Sequence, residues 1–152
     1  MATRIFLKLG DVKGACGDAD HKEWIEVMSF NTGVANSINC VEKVQDNPGG
    51  EACSHQDVAM TKQLDKTSPQ LNAYCSVGKM WGEAEIDVFE EKDQLYKVKL
   101  RDVAISSVSA SGGTGDIPYE TIVLAFTRIE WKYKTQSEQY WDLVSNGGSL
   151  EK

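Results

Sequence analysis

The stretch His21–Gly33, HKEWIEVMSFNTG, restricts this chain more than any other. Trp24, Met28 and Phe30 share one parity; Ile25 and Val27 share the other. Strand side chains alternate between faces, so a strand here carries apolar bulk on both sides. Glu26 interrupts the first set and Ser29 the second. The stretch is therefore a strand buried on both faces, or one bent around a core. Gly33 ends the apolar run, at a point where a strand can kink or bulge.

With 152 residues the chain can build one core, burying roughly two-thirds of its unfolded surface. One β-domain is expected over residues 1–146, with 147–152 a disordered tail. A net charge of −7 argues against nucleic acid, whose phosphates need a basic surface, and equally against anionic lipid. No run approaches the ~20 apolar residues of a membrane-spanning helix, so no membrane insertion is expected. Arg4 and Lys8 break up the first residues, which do not read as a signal peptide. The chain is expected to fold in the cytoplasm and, if it leaves, to be secreted without a cleaved signal peptide.

Cys16, Cys40, Cys53 and Cys75 show no CxxC spacing, and Cys53-Ser54-His55 is the one Cys/His proximity. A tetrahedral site needs a second close pair, so no metal is expected. Asp18-Ala19-Asp20 opens like a calcium loop, but Lys22 and Glu23 stand where an oxygen ligand and glycine are required. Cys40 and Cys53 flank a polar segment. They either pair under oxidising conditions, restricting the unfolded chain by ~3 kcal/mol, or remain thiols.

The rest of the chain reads mainly as strands. Thr3–Leu9 alternates weakly, with Ile5, Leu7 and Leu9 on one side. Ala35–Asp57 has no clear period and contains the turn Asn47-Pro48-Gly49-Gly50, so it reads as a long surface hairpin loop. From Val58, the residues Val58, Met60 and Lys62 oppose Ala59, Thr61 and Gln63. Ser68 can cap a short helix with Pro69 in its first turn, and Gly78 can close it. Then Glu83, Glu85 and Asp87 alternate with apolar residues, as do Lys97, Lys99 and Arg101, which predicts a hairpin with a charged cross-strand face. Glu120–Lys134 is the longest predicted strand and Tyr140–Asn146 the closing one. The predicted fold is all-β, a small β-barrel or two-sheet sandwich with one short α-helix.

No catalytic constellation emerges. The two histidines are His21 and His55, no G-x-S-x-G elbow is present, and the glycines at 112–115 lack phosphate-loop spacing. No cofactor and no enzymatic activity are expected. A monomeric ligand-binding β-domain remains a possible reading of the residues alone.

Several segments in order, Leu7-Lys8-Leu9-Gly10-Asp11-Val12-Lys13-Gly14, His21–Phe30, Asp65–Leu71, Leu100–Ser109, Glu120–Phe126, Ile129–Tyr133 and Trp141-Asp142-Leu143, resemble the haemolysin-coregulated proteins (Hcp) of the type VI secretion system. The resemblance spans nearly the whole chain. It implies a tube subunit whose homo-hexameric rings stack, carry small secreted effectors in the lumen, and are expelled by sheath proteins behind the VgrG spike. It implies that the loop from Val41 to His55, with Glu42, Lys43, Asp46, Glu51 and His55, governs ring stacking. It also implies that Asn31 lines the lumen and touches cargo.

Overall fold

The computed structural model describes residues 2–36 and 53–150. In order these form β1 (Thr3–Leu9), β2 (Ile25–Val27), β3 (Ser29–Asn36), β4 (Cys53–Gln63), α1 (Ser68–Val77), β5 (Met80–Glu90), β6 (Asp93–Ser111), β7 (Tyr119–Ala125), β8 (Arg128–Tyr133), β9 (Ser137–Asp142) and β10 (Gly147–Gly148). Among the described residues the strands make one antiparallel, 10-stranded sheet with one short helix, the all-β class that the alternation predicts.

Strand β6 organises the sheet. One edge pairs with β5; the other pairs with β8 over Tyr96–Arg101 and with β7 over Ala104–Ser111. The change of partner falls at Asp102, whose φ of 50° lies in the left-handed region that Asp tolerates better than most residues. Thr127 fastens the corner: its N–H donates to the Arg101 carbonyl at 3.0 Å and its hydroxyl to Asp102 Oδ2 at 2.9 Å. The predicted strand Glu120–Lys134 is consequently two strands, β7 and β8, broken at Phe126-Thr127. The buried parity changes there, from Ile122, Leu124 and Phe126 to Ile129, which one continuous strand cannot do.

The stretch 25–36 is likewise bent. β2 pairs with β1, Met28 N–H donates to the Thr61 carbonyl at 2.7 Å, and β3 then pairs with β4. Met28 is 58% exposed and Phe30 half-buried, so of the two expectations the bent strand holds and the doubly buried one does not. Pairing slips between Asn31 and Gly33, the bulge expected at that glycine. The pairings run β2, β1, β5, β6, β7, β4 and β3, with β2 continuing into β3 through Met28. β8, β9 and β10 extend from the first half of β6. Leu7, Ile86, Leu100, Ile122 and Leu124 fill the core, and Leu71 plugs α1 onto it.

Two local expectations change. Thr67, not Ser68, is the helix N-cap, and it makes no side-chain cap; Ser68 is already helical and spends its hydroxyl on Glu120 at 2.9 Å. Gly78 closes the helix as expected, at φ 70°. Residues 147–150 are not a disordered tail: Gly147 and Gly148 pair with Asp142 and Trp141. A Cβ on Gly148 would sit 2.3 Å from the Tyr140 carbonyl oxygen, so glycine permits this close return.

Candidate functional site

Four strands, β3, β4, β7 and the second half of β6, present a continuous outward face. Two cross-strand rows build it: Asn31, Ala59, Val123 and Ser107, then Ser29, Thr61, Thr121 and Ser109. The opposite parity, Phe30, Met60, Ile122 and Val108, packs toward the core. Neither outward row contains an ionisable group. At its edge Asp57 accepts a hydrogen bond from the Ser106 hydroxyl at 3.1 Å. Asn31 is exposed on this face, beside the bulge. The residues around Asn31 were missed from sequence; the available signal was the spacing of Ser107 and Ser109 on either side of Val108.

Beneath that face lies a buried charge cluster. Lys62 and Glu120 sit on the core parity, both 0% exposed, and their side chains meet at 2.5 Å. Lys62 Nζ also donates to Asp65 at 3.0 Å and to the Gln63 carbonyl at 3.1 Å. Burial opposes ionisation of Asp65, but hydrogen bonds from Thr67 and Lys62 outweigh it and hold its carboxyl below the ordinary range. Lys62, Glu120 and Ser68 thus tie β4, β7 and α1 together. Glu120 Oε2 has no hydrogen-bond partner among the described residues.

The predicted stacking residues divide. Glu42, Lys43, Asp46, Glu51 and Cys40 lie outside the described residues. His55 belongs to strand β4, paired with Val34, and not to the loop as expected. Its ring lies near-parallel to Trp131 of β8 and Trp141 of β9, with centroids at 6.0 and 6.1 Å, and edge-on to Phe126. Burial pushes its pKa down from the ordinary histidine value. Cys53 is half-buried, its thiol 3.8 Å from Asn146 Oδ1.

The sheet formed by β1, β5, the first half of β6, β8 and β9 carries the charge. Lys8, Glu85, Lys99 and Glu130 form one alternating row; Glu83, Arg101 and Arg128 form part of the next. At one end His21, 2% exposed, stacks on Phe6 at 4.1 Å and 7°. Its two ring nitrogens face Asp18 at 2.8 Å and Asp87 at 3.0 Å, a satisfied core histidine.

The family model described as "Type VI secretion system effector, Hcp" matches residues 6–133. Protein hcp1 of Pseudomonas aeruginosa is 31% identical over 99% of this chain and 93% of its own length. A solved type six secretion system protein superposes with a TM-score of 0.88 at 28% identity, covering 97% of this chain and 100% of that one. Hcp1 from Salmonella typhimurium, at 24% identity, shares the fold with a TM-score of 0.82 over 97% of this chain and 99% of that one. The chain belongs to the Hcp family of type VI secretion proteins.

Proposed function

We propose that this chain closes into hexameric rings that stack into a tube, with the neutral face around Asn31 turned to the lumen. The carrying observation is that face: small hydroxyl, amide and methyl side chains without a charge, on a protein of net charge −7. A wall of this kind gives a cargo hydrogen bonds of about 1 kcal/mol each, repeated around a ring. Ring closure requires two different complementary patches on each subunit, which the exposed strand edges can supply. In this reading sheath proteins expel the tube behind a VgrG spike, moving it from the cytoplasm to the outside or into a target cell. The segment carrying Glu42, Lys43, Asp46 and Glu51 joins ring to ring, and Cys40 and Cys53 either pair once exported or remain thiols.

Negative-stain microscopy of the purified protein should show rings, and Asn31→Gln and Asn31→Asp should leave them intact. Secretion of the protein itself should persist in both variants while co-secreted effectors fall. Effector levels equal to wild type in both variants would remove Asn31 from the cargo contact. A monomer at tens of micromolar by light scattering would instead favour a ligand-binding β-domain.

A further inference from the structure

His55 joins three parts of the molecule that are separate in sequence. It sits on β4 near the open end of the β3–β4 stem, whose last described pair is Asn36 with Cys53. Its ring meets Trp131 on β8, Trp141 on β9 and the edge of Phe126 beyond β7. Two residues away, Cys53 reaches Asn146 in the turn between β9 and β10. The stem is thus held against the β8–β9 ribbon by an imidazole that faces two indoles, and imidazole is the one aromatic ring that gains a charge near neutral pH.

We propose that His55 is a pH-sensitive latch that holds the β3–β4 stem against the β8–β9 ribbon and lets it go on acidification. The rings it meets do not titrate. On β8, Glu130 and Lys132 alternate to the face opposite Trp131; on β9, Tyr140 and Asp142 alternate to the face opposite Trp141. On β3 the paired residue is Val34. On β4 the flanking Ser54 and Gln56 are neutral, and Asp57 accepts the Ser106 hydroxyl. No carboxylate among these groups is placed to compensate an imidazolium, and burial already disfavours the charged ring.

The direction follows from linkage. Docked, His55 holds a proton less readily than the free side chain, whose pKa is about 6.5. Docking is therefore fully favoured above about pH 6.5 and is weakened as the pH falls below it, because the released ring takes up the proton. This holds for the single subunit and does not depend on ring formation.

The chain has two histidines, so a proton NMR titration of the full-length protein shows two imidazole signals, and His55→Phe assigns them. The His55 signal should titrate with a midpoint below about 6.5. Amide exchange, corrected for its intrinsic pH dependence, should rise several-fold at Val34, Ala35 and Ser54 between pH 7.5 and pH 5 in the wild type. In His55→Phe, which keeps an aromatic ring without the proton, exchange there should stay flat; His55→Gln should also abolish the pH step and serves if the Phe variant misfolds. A midpoint at or above the free value, as a cation over two indoles would produce, overturns the latch. So does an equal pH step in the variants.

Discussion

One strand passes through two different chemical environments. The first half of β6 shows Lys97, Lys99 and Arg101 to the outside; its second half shows Ser107 and Ser109. The backbone is continuous, and what differs is the company. The basic half lies between β5, with Glu83, Glu85 and Asp87, and β8, with Glu130, so each cation meets a carboxylate across the sheet. The neutral half faces Thr121 and Val123 on β7. Beneath the neutral half, charge reappears where water cannot reach, as Lys62 and Glu120. Exposed pairs contribute roughly 0–1 kcal/mol each, whereas removing one partner of a buried pair costs roughly 3–5 kcal/mol. The face with no visible charge is therefore the one most sensitive to loss of a charge.

Lys62→Met tests this with the largest effect. The methionine fills similar volume but leaves the Glu120 carboxylate fully buried with Ser68 as its remaining partner. Stability should fall by about 3–5 kcal/mol. The double variant Lys62→Met with Glu120→Leu should recover most of that loss, because no fully buried charge remains and Asp65, which also loses its lysine, is partly exposed and keeps its Thr67 hydrogen bonds. Urea denaturation at constant slope is the measurement. Equal losses in single and double variants would show that packing, not charge, holds β4 to β7 and α1.

The boundary between the two halves should respond next. Asp102→Val places a β-branched residue at a positive φ and deletes the acceptor of the Thr127 hydroxyl. Together these cost about 2 kcal/mol, and Asp102→Gly should cost clearly less by the same denaturation measurement. If valine is tolerated as well as glycine, the strand does not need its corner at this residue.

These two sites also mark where the sequence was legible and where it was not. Period-two alternation located β1 and the two charged strands of the β5–β6 hairpin, because alternation is local and one face of each strand is buried, while Pro69 and Gly78 marked the ends of the helix. The facing of an acidic strand by a basic one followed from it; the register, Glu85 opposite Lys99, is set by the structure. Changes of partner at Met28, Asp102 and Phe126 were hidden, since they are decided by strands far away in the chain. Lys62 fell on the apolar parity in plain view, but its partner Glu120 lies beyond α1, β5 and β6. His55 was assigned to a loop because Cys53–Asp57, the first half of β4, is polar and only partly covered. On the sheet face around Asn31, the one local signal was the alternation of Ser107 and Ser109 about Val108, and the strands that face joins lie far apart in the chain.

The smallest effect belongs to the charged half. Lys99 Nζ lies 2.9 Å from Glu83, and that hydrogen bond, aided by the nearby positive charge, holds the Glu83 carboxyl below its ordinary value of 4.5. The same contact raises the Lys99 ammonium. Both side chains are partly exposed, Lys99 33% and Glu83 44%, so solvent screening reduces the pair to less than about 1 kcal/mol. A carboxyl with a lowered folded pKa contributes its stability above the unfolded value and loses it as the pH falls through the folded one. Glu83→Gln should therefore destabilise by a small constant amount between pH 5 and pH 8, and the gap to wild type should close below about pH 4. Raising the salt to about 1 M, where the screening length is about 3 Å, should shrink the gap at every pH. Thr121→Gln on the neutral face should show neither the pH nor the salt dependence. A Glu83 gap that exceeds about 1 kcal/mol and ignores salt would mean that this row is covered in solution, with a partner pressed against the charged half of β6.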